Sequence, residues 1–170
     1  MNNTESLLNN NPKVKLLWKH ESKLMSLCGK PMGGNKGKFM SIYATTIGNK
    51  IYMPKGWWDI VDEQQRLILL RHELIHVKQM AKYSVPIFFF LYIFVPFPIG
   101  IGYFRAKFEK EGYAETLKAQ YEYWGESSIT SIECREWIIE QFVGSAYGWM
   151  WPFKKSMHKW YDKTIQEILH

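Results

Sequence analysis

Residues 61–83 read "VDEQQRLILLRHELIHVKQMAKY", and the folding of this stretch decides how the rest of the chain is read. Leu67, Ile68, Leu69, Leu70, Leu74, Ile75 and Val77 make it apolar around most of a helical girth, with acidic residues at its start and Asp59 or Asp62 placed as caps. The pattern predicts a long, central helix from Val61 to about Tyr83. His72 and His76 then lie one turn apart, because an α-helix advances about 100° per residue and positions four apart stack on one face. Both imidazoles can reach one ion. Glu73 lies to one side of that ion, where it acts on a metal-bound water instead of binding the metal, as in the motif H-E-x-x-H.

Working outward toward the N-terminus, "FMSIYATTIGNKIYMP" (39–54) sets β-branched and aromatic residues on both sides of Gly48-Asn49, a tight hairpin dipeptide. Two short antiparallel strands are expected there. Before them, "CGKPMGGNKGK" (28–38) is a glycine-rich connector that lacks the residue order of a phosphate-binding loop. Val14, Leu17, Trp18, Leu24 and Met25 recur at roughly helical spacing, which predicts a first helix from Lys13 to Leu27. Residues 1–12 are Asn-rich and polar, the composition of a flexible arm.

Composition narrows the classes. The chain has 170 residues, 46% of them hydrophobic and 22% charged, which suits one globular domain, taken here as residues 13–170 and as a monomer. The net charge is +6, but Lys and Arg are scattered and form no basic block, which argues against a nucleic acid partner. Cys28 and Cys134 stand far apart and in no C-x-x-C pair, so they read as reduced thiols and not as a disulfide or zinc ribbon. The N-terminus has no basic start followed by an apolar core, so the expectation is a cytoplasmic protein without a secretory signal.

A catalytic zinc with an open position takes three protein ligands, and the motif supplies two. Downstream, "RAKFEKEGYAETLKAQYEYW" has helical periodicity and carries Glu109, Glu111 and Glu115. Glu111 and Glu115 are four apart and face the same way, while Glu109 points elsewhere. Spacing alone leaves the choice open. With both stretches in view, the chain resembles the gluzincin group of zinc metallopeptidases, which join H-E-x-x-H on one helix to E-x-x-A followed by Asp or Glu on a later one. That second pattern is met by Glu111, Gly112, Tyr113, Ala114 and Glu115, and the likeness, over about residues 40–120, is to small bacterial zincin-like proteins. The resemblance implies Zn2+ held by His72, His76 and Glu111, with Glu115 as the companion that supports Glu111. It implies a mainly helical α+β, zincin-like domain with a small antiparallel hairpin before the active-site helix.

The chemistry expected is hydrolysis of a peptide or protein substrate, with Glu73 as general base on a zinc-bound water. Tyr113, Tyr147 and His158 are the candidates for stabilising the oxyanion. Residues 85–104, "VPIFFFLYIFVPFPIGIGYF", carry no charge and are long enough to cross a bilayer, yet a straight span would put His76 and Glu111 on opposite sides. Pro86, Pro96, Pro98, Gly100 and Gly102 give places to turn, so a fold-back is expected, either buried or dipped into one leaflet. Two further readings follow: the same protease working peripherally at a membrane surface, and a non-catalytic domain that keeps a metal for structure or binding.

Overall fold

The computed structural model of the protein describes residues 3–34, 37–94, 102–144 and 149–170. At Gly48 the backbone takes φ +62°, a left-handed value that costs glycine nothing, and the chain reverses there. The strands on either side, β2 (Thr45–Ile47) and β3 (Lys50–Met53), pair antiparallel with Thr46 opposite Ile51. A third strand, β1 (Lys15–Trp18), pairs parallel with β3, with Leu16 opposite Ile51, so the sheet is mixed and ordered β1-β3-β2. The predicted helix over Lys13–Leu27 is therefore corrected. Its first part is a strand, and only Lys23–Gly29 is helical (α2), capped by the Ser22 hydroxyl on the Met25 amide. Hydrogen bonding to β3 overrode a weak helical pattern.

Side chains alternate across this sheet with the period of two that strands impose. Ile51 and Met53 face the long helix α5 (Glu63–Tyr83) and are buried with its Leu70 and Leu74. Tyr52 faces the other way, with Met25 and with Met40 from the short helix α3 (Lys38–Ser41). Each such side chain taken fully from water contributes roughly 1.5–3 kcal/mol. Helix α5 begins as expected: Asp62 accepts from the Gln65 amide at 2.7 Å while the Gln65 side chain accepts from the Asp62 amide at 3.2 Å, a reciprocal cap. Ahead of it lies α4 (Lys55–Ile60). Residues 4–9, expected within a loose arm, form α1 (Thr4–Asn9), capped by Asn3 and tied through the Thr4 amide to Glu63.

The composition predicts one domain over residues 13–170; the contacts divide the chain into two compact units, Met1–Lys82 and Tyr83–His170. All the regular secondary structure among the described residues of the latter unit is helical. Helix α6 (Val85–Phe94) runs back along α7 (Tyr103–Trp124), with Phe88 stacked on Phe108 at 4.7 Å. Residues 95–101, which include Pro96, Pro98 and Gly100, lie outside the described residues. Among the described residues no helix is long and apolar enough to cross a membrane. Gly125, at φ +79°, ends α7, and α8 (Glu126–Thr130), α9 (Ile132–Val143) and α10 (Lys154–Leu169) follow. Their core joins Leu117, Ile129, Ile138, Phe142, Met157 and Tyr161, with the Tyr161 hydroxyl donating to the Ile129 carbonyl at 2.7 Å. The Ser131 hydroxyl caps α9, on the Cys134 amide.

Candidate metal centre

In the first unit, the middle of α5 presents polar side chains to the interior. His72, Glu73, His76 and Gln79 are all buried, which is costly unless each has a partner. The two Nε2 atoms stand 3.2 Å apart, as the spacing of four predicts. His76 Nδ1 lies 2.9 Å from Gln79 Oε1. A carbonyl oxygen can only accept, so Nδ1 carries the proton, which leaves Nε2 as the ring nitrogen available to a metal. Helical geometry supplies the holder as well as the ligand, since Gln79 is three residues beyond His76.

The Glu73 carboxylate reaches the sheet, where Thr46 on β2 donates its hydroxyl to Oε2 at 2.6 Å. The hairpin thus fixes the carboxylate. Nearby, Lys19, just after β1, is a fully buried lysine. Its ammonium donates to the Phe39 carbonyl at 2.6 Å and sits 3.7 Å over the Phe39 ring. Burial pushes its pKa down to about 8, against the smaller opposing electrostatic influence of Glu73 and then Cys28. Nothing in the sequence around Lys19 marks it as an interior residue, because lysine in a short amphipathic stretch reads as surface.

In the second unit, α7 has one buried face, made by Ala106, Phe108, Glu109, Gly112, Tyr113, Thr116, Leu117 and Ala119. Glu109 is 2% exposed at the centre of that face, and the Tyr92 hydroxyl from α6 donates to its Oε1 at 2.5 Å. Glu111, two residues or about 200° of turn further on, is exposed, and Glu115 is half-buried. Tyr113 is a core residue: its ring packs on Phe142 at 5.4 Å and Trp137 at 6.1 Å. His158 is half-buried on α10, 3.7 Å from Glu136. Tyr147 lies outside the described residues.

Among the described residues, His72, His76 and Glu109 are the buried group of metal-ligating side chains that could hold an ion. Imidazole nitrogens and a carboxylate oxygen are donors that divalent metal ions accept. Comparison of the chain with family models, with curated proteins and with solved structures gave no match. Thr46, Gln79 and Tyr92 are the participants the sequence did not single out. Gln79 was within reach of helical spacing, whereas Thr46 and Tyr92 depend on tertiary pairing.

Proposed function

We propose that the protein is a zinc-dependent hydrolase of peptide bonds, with the metal held by His72, His76 and Glu109 and with Glu73 as the general base. The observation that carries the reading is on α5: two ring nitrogens 3.2 Å apart beside a buried carboxylate steered by a hydroxyl from the hairpin. Two nitrogens bound to one tetrahedral zinc at its usual bond length stand about 3.3 Å apart, so the pair needs almost no adjustment. Glu109 is preferred to Glu111 for the carboxylate because it is buried, and a ligand sheltered from water holds its orientation.

When bound, the metal acts as a Lewis acid toward a carbonyl and makes a coordinated water easier to deprotonate. The chain's own part is proton handling. Glu73 takes the proton from the attacking water and gives it to the leaving amine, and the Thr46 hydroxyl keeps its carboxylate aimed between those two tasks. Gln79 holds His76 in the tautomer that leaves Nε2 as the ligand atom. Ile87 and Phe90 on α6, 54% and 58% exposed, favour a version of this enzyme that works against a lipid surface.

The test is metal content and peptide-library cleavage on one set of variants. The parent is expected to hold one zinc per chain and to cleave. Glu109→Ala should lose zinc and Glu111→Ala keep it; the reverse result transfers the ligand role to Glu111. Glu73→Gln should keep zinc and lose cleavage by about 100- to 10,000-fold. Zinc retained with no cleavage by the parent on any peptide would leave a non-catalytic metal domain.

A further inference from the structure

The apolar segment after α5 has a polar atom that the hydrolytic reading does not use. Helix α6 is almost entirely hydrocarbon, "VPIFFFLYIF", and Tyr92 is the one residue in it with a hydroxyl. That hydroxyl is 2.5 Å from Glu109 Oε1, at the short end of the range for a donor on an ionised carboxylate. Its ring is fixed as well. Phe88 stacks on it at 5.5 Å and 23°, and the Arg105 guanidinium lies 5.0 Å over it. Phe88, itself buried, is anchored on Phe108, the residue before Glu109. A hydroxyl held this firmly fixes the plane of the carboxylate it donates to.

We propose that Tyr92 is a positioning residue for the metal-binding carboxylate, holding Glu109 Oε1 so that the side chain meets a cation through one oxygen in a set direction. The inference rests on Glu109 being a ligand. It gives the apolar segment a task inside the second unit: α6 carries the holder of a ligand on α7, as Gln79 is the holder of His76 on α5. Removing a donor that orients a ligand typically costs about 10- to 100-fold in metal affinity. Phenylalanine keeps the ring and its stacking, so Tyr92→Phe deletes the hydroxyl that donates to Glu109.

The experiment strips the full-length protein with a chelator and titrates it with zinc against a chromogenic competitor, in the parent, Tyr92→Phe, Glu109→Ala and the double variant. Melting of the four metal-free proteins is measured alongside. The expected result is zinc affinity about 10- to 100-fold weaker in Tyr92→Phe, with metal-free melting close to the parent's, and no additional loss when Tyr92→Phe is placed on Glu109→Ala. In cobalt-loaded protein, Tyr92→Phe should also shift the visible absorption bands, which report the ligand field and not stability. Unchanged affinity in Tyr92→Phe while Glu109→Ala loses zinc would overturn the positioning role and leave the hydrolase reading standing. An equal loss on both backgrounds would assign Tyr92 a general structural role. A parent that binds no zinc would overturn both proposals.

Discussion

Glu73 on α5 and Glu136 on α9 are carboxylates with short hydrogen bonds, 2.6 Å from the Thr46 hydroxyl and 2.8 Å from the Lys154 ammonium. By formal charge Glu136 has the stronger contact, since its donor is an ammonium and His158 lies 3.7 Å away on the same group. Yet Glu136 is solvated, and water and salt screen most of what its partners offer. Glu73 is buried, so losing its one neutral donor would leave a carboxylate short of a partner it cannot recover from solvent. Burial, more than formal charge, decides which polar contacts matter here.

Lys19 is the most severe case of that rule and gives the largest expected effect. Its folded pKa of about 8 is below the ordinary 10.5, so the folded state releases its proton more readily than the unfolded chain. The cost of the buried charge is therefore full below pH 8 and fades as pH rises toward 10.5. Denaturant unfolding of the parent relative to Lys19→Met should show the parent gaining on the variant by on the order of 3 kcal/mol across that window. A pH-independent difference between the two would mean that Lys19 is not titrating from the interior.

Thr46→Val comes next. It keeps the shape and removes the hydroxyl from Glu73, with an expected loss of about 1.5–3 kcal/mol in unfolding free energy, while Thr46→Ser stays near the parent. If valine proved as stable as serine, the comparison with Glu136 would collapse. The smallest effect belongs to Glu136→Gln. The Lys154 hydrogen bond, then the charges of Lys154, His158 and Arg135, hold the Glu136 pKa below the usual carboxylate value. Its contribution is thus present above that usual value and is lost as pH falls through the depressed one. Melting at neutral pH should drop only slightly in Glu136→Gln, and molar salt should erase the difference. A drop as large as that of Thr46→Val would show that exposure is the wrong criterion.

Features with a local cause were legible in the sequence. The Gly48 turn and the start of α5 at Asp62 each follow from a few adjacent residues, and so does the meeting of His72 and His76. What depended on distant partners was not. Lys15–Trp18 became a strand because β3 offered it hydrogen bonds, and Lys19 went inside with it. The carboxylate on α7 falls between these cases. Pattern matching favoured Glu111, whereas Ala106, Gly112, Tyr113, Thr116 and Ala119 trace a row of small and apolar residues in which Glu109, and not Glu111, is the interruption. That row was visible in the sequence, and a lone acid within it marks an inward position.

The pairing of β1 has a consequence in time as well as in space. Strands β2 and β3 are joined by a two-residue turn, so their contacts form over a short loop, and α5 follows close behind in the chain. Strand β1 must instead cross from residue 15 to residue 50 and pair parallel, closing a much longer loop. Its anchor is the turn itself: the Asn49 side chain donates to the Lys13 carbonyl at 2.6 Å, and the Lys15 amide donates to the Asn49 carbonyl at 2.8 Å. The hairpin and α5 are therefore expected to assemble first and β1 to dock last. In native-state hydrogen exchange, the amides of residues 15–18 should open at a lower free energy than those of α5 around Leu70, as a separate cooperative step.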